Sequence, residues 1–472
     1  MLSYFKINDP YRLVVIFILL FALSIPAMIK PEVNTIPELE RLLIGQSISN
    51  GKLLYDELWV EMAPLSSVVY SAVDWLFGRS YLAHKILAIL LFFFQIFYFN
   101  QTLLSRKAYN ENSYVPAFLY AVLGFIMIDT IRLSAELMGL TFIVVSFASL
   151  FKHLEARVRT DQNLLYIGIY IGIASLFYLP YLAFFLATVL SLLFYTNTMK
   201  RRYVLLIYGA AFPILLVWIY YFIIGKTDAF YFCYINSLIR LDYFNFLDLT
   251  SVLIIIALPS LYLLWAFIKV FNTPSFINYQ SRIQGVFFFY FLTAVVVWIF
   301  WSRNSGATMA MFIPIYTFFL SHLFLLIRKW LVREIATTLL IASIFTIYFA
   351  SLYGNKLVVN AIDLKKLLVQ ETSYDQFVQG KSLLVMGKQY FEAYQSAAPA
   401  TPYLDWQLAR AHFDHLNYYD HLQKIYVYME EDPPEMIIDE SNYMPELSEK
   451  IPLFKNQYEK VSGNLYRKIT HK

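Results

Sequence analysis

The chain has 472 residues, of which 59% are hydrophobic and only 15% charged, with a mean hydropathy of +0.55 and a net charge of +4. Soluble domains carry about 25% charged residues, so lipid must be the solvent for much of this apolar surface. With no basic run of five residues or more, no HExxH and a single cysteine (Cys233), the sequence excludes nucleic acid as a partner and leaves no internal disulfide and no Cys-based metal site.

From the N-terminus, Lys6 and Arg12 precede an apolar run that ends at Ile29 without a small-x-small cleavage site, which reads as a retained signal-anchor. Runs able to cross about 30 Å of hydrocarbon fall at 11–29, 82–104, 113–129, 134–152, 163–178, 180–198, 203–224, 250–271, 284–301, 306–327 and 330–352. Several are short enough to be tilted, broken or partly re-entrant. The expected fold is therefore an all-α polytopic membrane bundle of about 11 transmembrane helices, spanning residues 1–352. With Lys6 and Arg12 inside, the basic clusters at 106–107, 152–159, 200–202 and 328–333 also lie inside. The acid-rich stretch 31–81 then lies outside, provided that 62–77 (MAPLSSVVYSAVDWLF, with Asp74) rests on or dips into the outer face instead of crossing it. This arrangement puts the C-terminus outside, in the periplasm of a bacterium with the chain in its inner membrane. Cys233 falls in the outer loop 225–249 or just within the adjacent helix end.

After residue 353 the character changes. "KSLLVMG" reads as a strand, "DWQLARAHFDHL" as a helix and "PEMIIDE" as a second strand, so 353–472 is expected to be a small soluble α/β periplasmic domain. No internal repeat of fixed period is visible, which weakens an inverted-repeat transporter.

The first outer loop is the most informative segment. "PELERLLIGQSISNG" has Pro37 at its start, Glu38 and Glu40 in the first turn and Gly51 at its end, the pattern of a short helix. A carboxylate there could take a proton from an acceptor hydroxyl or hold a divalent cation against phosphate. The plainer reading is a solvated face with the usual acidic bias at a helix start.

In order, Glu38, Gly51, "LLYDELW", "APLSSVVY" and "WLFGRS" resemble the first periplasmic loop of GT-C glycosyltransferases, the group that includes protein mannosyltransferases and aminoarabinose transferases. Downstream, "IRLSAELMGLTF" with Arg132 and Glu136, "SRNSGATMAMFIPIY" with Arg303 and Pro314, and the tail segments "PATPYLDW" and "EEDPPEMIIDE" extend the likeness over most of the chain. The resemblance implies transfer of a sugar from a polyprenyl-phosphate donor to a glycan, lipid or protein acceptor at the periplasmic face, with Glu38, Asp56 and Glu136 as catalytic candidates and Arg132 and Arg303 on the donor phosphate. It leaves the cofactor open, a divalent cation included. Two positions depart from the pattern: the Asp of the family's Asp-Glu pair falls on Pro37, and a Lys common in a middle helix is Tyr178. The first departure favours a second reading, a catalytically silent subunit scaffolding a cell-envelope assembly.

Other candidates have plainer readings beside the functional ones. Arg132 and Glu136, four apart, are expected to share a helix face, as a simple interfacial pair or as walls of the same cavity as Glu38. Arg303 either snorkels to headgroups or clamps phosphate. Asp228, Arg240, Asp242 and Asp248 sit in an aromatic-rich loop suited to membrane anchoring, with sugar stacking as the alternative. His412, His415 and His421 read as surface histidines, with no metal ligand set at recognisable spacing.

Overall fold

The computed structural model describes residues 2–155, 161–196, 198–240, 245–272, 276, 278–301, 303–355 and 361–469. Two compact units emerge, each assembled from three stretches of chain: 1–33, 82–219 and 240–367 form one, and 34–81, 220–239 and 368–472 form the other.

The first unit is a helical bundle. Among the described residues, eight helices are long and apolar enough to cross a membrane: Tyr11–Ile29, Tyr81–Ser105, Ala135–Glu155, Lys200–Ile223, Leu249–Phe271, Asn278–Trp301, Gly306–Leu326 and Trp330–Leu352. This makes the chain a multi-pass membrane protein. The other three expected runs are shorter. Leu179–Tyr195 opens on a 3-10 turn, Asp161–Phe177 has 17 residues, and Val115–Leu123 has only nine. Past Leu123 the chain stays buried but irregular until Ala135, because Ser134 caps the next helix by accepting from the Leu137 N–H at 3.0 Å.

Without a hydrophobic drive between helices in lipid, small residues set the closest approaches. Gly168 and Gly172, one turn apart on Asp161–Phe177, face the 200–223 helix so closely that a methyl group on either would overlap the carbonyl of Leu206 or Ala210. Gly209 answers from the opposite side against Leu165.

The second unit carries a five-stranded sheet of order β2-β1-β3-β5-β4. Here β1 is Ser382–Met386, β2 Ala398–Pro399, β3 Met436–Asp439, β4 Tyr458–Ser462 and β5 Leu465–Lys468. The pairs of β1 with β2 and β3 are parallel, and β3–β5 and β5–β4 are antiparallel. The all-apolar run Leu383–Met386 and its partner Met436–Ile438 are buried throughout, as strands covered on both faces must be. The expected strand, helix and second strand are β1, Trp406–Phe413 and β3.

The same unit includes the first loop, residues 34–81. Trp59 donates its N–H to the Pro402 carbonyl at 2.8 Å and accepts from the Asp405 N–H at 3.2 Å, adding the loop to the tail by backbone pairing. Asn34 accepts from the Val369 N–H at 3.0 Å. Arg79 donates to the carbonyls of Tyr394 at 2.5 Å and Ala397 at 3.2 Å, and Lys52 pairs with Asp432 at 2.6 Å.

Candidate functional site

The loop helix runs from Ile36 to Ser49. Thr35 is its N-cap: its hydroxyl accepts from the Glu38 N–H at 3.4 Å and its carbonyl from the same group at 3.1 Å. Pro37 fits because the first helical positions need no N–H donor. Glu38 therefore stands in the first turn, where the helix dipole favours a carboxylate, yet it is only 1% exposed. A solvated face does not account for it. Tyr81 lies within Coulombic reach of that carboxylate. The segment Pro64–Phe77 is a helix closed by Gly78, and it packs on Ile36–Ser49, with the Ser49 hydroxyl donating to Asp74. Their contact is tight at Gly45, where an added Cβ would sit 2.7 Å from the Tyr70 carbonyl oxygen.

In the membrane bundle, Arg132 and Glu136 do not share a helix face. Ala135 opens the helix, so Glu136 is in its first turn while Arg132 precedes it on the irregular segment. The Ser134 cap is the physical reason, since a capping residue has extended backbone and breaks the periodicity upstream. Arg132 is buried, donates to the Val33 carbonyl at 3.5 Å, and lines a small cavity of about 20 Å³ together with Lys85, Tyr348 and Gly124. Lys85, also buried, was not among the sequence candidates. The signal for it was a lysine one turn inside a span next to an acid-rich loop, a position where basic residues ordinarily count only toward topology.

Leu123 and Ile126 line an apolar cavity of about 180 Å³ together with Phe291, Trp298, Met309 and Tyr316. One stretch of chain thus lines both cavities. Buried Asp129, in the same stretch, accepts from the Gly306 N–H with both carboxylate oxygens at 3.0 and 2.9 Å. That latch joins the chain three residues before Arg132 to the chain three residues after Arg303. Arg303 is half-buried, and its carbonyl accepts from Phe246 at 2.9 Å. Tyr178, at the position of the family lysine, donates to the Trp301 carbonyl at 3.1 Å and so fixes backbone beside Arg303.

Asp56 lies in the second unit and forms an ion pair with Lys226 at 2.7 Å. Tyr55 precedes it in the left-handed region, at φ 72°, with its ring buried among Tyr221, Phe230 and Tyr234. Burial pushes the Tyr55 phenol well above its usual range, so it stays protonated. The Asp56–Lys226 pair is on the wall of an open cleft of about 470 Å³, all of whose lining residues belong to this unit. Asp228 lines it too.

The histidines correct the surface reading in one case. His412 is 5% exposed, accepts from or donates to the Tyr403 hydroxyl at 3.0 Å, and packs its ring against Trp59 at 4.7 Å. Burial, with Lys424 and His421 nearby, lowers its pKa to about 4, so it is neutral at pH 7. His415 is exposed and His421 half-buried. Among the described residues, no three His, Cys, Asp or Glu side chains converge as metal ligands. Asp248 pairs at the surface with Lys366, Arg240 is half-buried, and Asp242 lies outside the described residues. Cys233 is buried at the end of Thr227–Cys233.

With this geometry in place, comparison identifies the fold. The apo oligosaccharyltransferase of Archaeoglobus fulgidus is similar over 95% of this chain and 73% of its own, with a TM-score of 0.52 at 9% identity. ArnT from Cupriavidus metallidurans, an aminoarabinose transferase, is similar in its undecaprenyl-phosphate-bound structure over 70% of this chain and 64% of its own, with a TM-score of 0.48 at 12% identity. Its apo structure gives 0.46 at 12% identity, over 68% and 62%. The chain thus spans just under two thirds of the length of that ArnT. No protein-family model and no curated protein matches the sequence. The chain has the GT-C glycosyltransferase fold, as the loop motifs led us to expect.

Proposed function

We propose that this protein is a glycosyltransferase that moves a sugar from a polyprenyl-phosphate carrier to an acceptor on the periplasmic face of a bacterial inner membrane. The observation that carries the reading is the 123–132 segment, which brings buried Arg132 to the same small space as buried Lys85 and also lines an apolar cavity of about 180 Å³. A lipid phosphate has the same dual character: an anion that rewards buried cations with charge-assisted hydrogen bonds, and an isoprenoid chain that needs only apolar walls. Arg303, latched to this segment through Gly306 and Asp129, is the second guanidinium for the phosphate.

In the reaction, an acceptor oxygen attacks the anomeric carbon, the bond from that carbon to the phosphate oxygen breaks, and polyprenyl phosphate leaves with the electron pair. The configuration inverts, and the acceptor proton passes to a carboxylate. Glu38 is the leading base, because it is buried at a helix N-terminus where Pro37 removes the family's neighbouring acid. Glu136 is its partner candidate. Asp56, committed to Lys226, serves the cleft in the second unit. The basic residues at 106–107, 200–202 and 328–333, placed inside, support one shared outer side for residues 34–81, 220–239 and 368–472.

The test is transfer by membranes carrying Glu38→Gln or Glu136→Gln protein. Each variant should insert normally and lose product. Full product from both would remove the site. No product from the native protein itself, with stoichiometric partner proteins retained on purification, would favour the scaffold reading that Pro37 raises.

A further inference from the structure

The cleft in the second unit is not needed to bind the donor, and it is built from three distant parts of the chain. The first loop supplies Asp56 and Trp59, the 220–239 stretch supplies Lys226, and the tail supplies His421, Lys424 and Tyr428. Its volume of about 470 Å³ falls within the range of small-molecule sites, roughly 300–1,000 Å³. The aromatic part is preorganised. Trp59 is held between Phe232 at 5.2 Å and Tyr428 at 6.1 Å. The polar part is balanced, with Asp56 and Lys226 cancelling each other at 2.7 Å and Asp228 opposing Lys424 in charge. The His421 Nδ1 is shielded from solvent and makes no hydrogen bond within the protein, although its ring lines the cleft.

A balanced charge rules against a phosphate or another strongly anionic ligand, which would call for an excess of cations. A purely apolar ligand would desolvate Asp228, Lys424 and the Asp56–Lys226 pair without offering them hydrogen bonds. Hydroxyl groups both donate to carboxylates and accept from ammonium groups, and the flat C–H face of a pyranose packs on aromatic rings. We infer that this cleft binds a neutral glycan, through its aromatic wall and the Asp56, Lys226, His421 and Lys424 side chains. In the transferase reading, and resting on it for this clause alone, that glycan is the acceptor or a part of it.

Binding is tested without transfer. The full-length protein in detergent is titrated with cellobiose, lactose, mannobiose and chitobiose, and contact is read by saturation-transfer NMR. At least one disaccharide should bind, with affinity reduced tenfold or more in both Lys424→Ala and His421→Ala. These positions are at the cleft rim, so an unchanged elution profile and melting temperature verify the fold. If none of the four binds, if both rim variants bind as well as native, or if inorganic phosphate displaces the sugar, the inference is overturned. Sugar binding by a protein with no transferase activity would sink the proposed reaction and leave this inference standing.

Discussion

The small space beside Arg132 and the cleft beside Asp56 differ in the way their surroundings demand. In the membrane bundle, Arg132 and Lys85 face a space of about 20 Å³ with no acid among its lining residues. In the second unit, a cleft of about 470 Å³ mixes acids, ammonium groups, imidazoles and aromatic rings. Charged side chains within a membrane bundle ordinarily mark a functional site, which makes this pair of cations a candidate for holding an anionic group. A cleft open to water can hold compensating charges at little cost, and its selectivity comes from shape and hydroxyl pairing. If the comparison is right, damage to the first should abolish chemistry and damage to the second should alter which acceptor is used.

The largest effect is expected at Arg132. Arg132→Gln, assayed with a lipid-phosphate sugar, should lower kcat/KM about 100- to 1,000-fold, the cost of removing one charge-stabilising donor from a dry site. Lys85→Ala should act in the same direction. A variant that inserts normally and turns over at the native rate would break the assignment of this cavity. Next in size is packing. Gly172→Leu would drive a side chain into the Ala210 carbonyl, costing about 1–3 kcal/mol by overpacking and measured as a lower melting temperature in detergent. Gly45→Leu should destabilise the second unit by a similar amount, since the Tyr70 backbone lies where the new side chain must begin.

The second unit should also be sensitive to acid. His412 has a folded-state pKa of about 4, below the unfolded value near 6.5, so the unfolded chain binds more protons between these values. Stability is then full above pH 6.5 and falls as pH drops toward 4. After a discount for partial solvation the loss is about 2 kcal/mol. Melting temperatures measured from pH 7 to pH 4 should decline more steeply for the native protein than for His412→Gln. Parallel curves would remove His412 as the source.

How much of this was legible in the sequence follows the range of the interactions. Spans, the loop helix ended by Gly51, and the strand-helix-strand order of the tail are local, and periodicity with turn residues carries them. The eleven-run bundle was readable in outline, but not the nine-residue length of Val115–Leu123 or the irregular chain after it. There the run is apolar throughout, and composition cannot tell helix from buried coil. Arg132 and Glu136 looked like a helical pair because spacing alone ignores Ser134, whose cap breaks the helix between them. Lys85 was masked by the ordinary role of basic residues near span ends. The joining of loop and tail was out of reach, since Lys52 and Asp432 are 380 positions apart and no local pattern records their pairing.

The smallest effects concern that joining, and they separate two kinds of contact. Arg79 donates to two backbone carbonyls and is buried enough that its pKa is lowered, chiefly by desolvation. Arg79→Ala strands those carbonyls and should cost about 1.5–3 kcal/mol, the range for hydrogen bonds from charged donors. Lys52 meets Asp432 at the surface, with both side chains partly exposed and Asp432 also accepting from the Thr401 N–H at 3.0 Å. Removing Lys52 leaves that carboxylate hydrated and still engaged, so Lys52→Ala should cost only about 0.2–1 kcal/mol, and less at high salt. Limited proteolysis of the 34–81 loop measures both. Cleavage should speed up markedly in Arg79→Ala and barely in Lys52→Ala. Equal rates would mean that backbone pairing at Trp59 alone holds the loop to the tail.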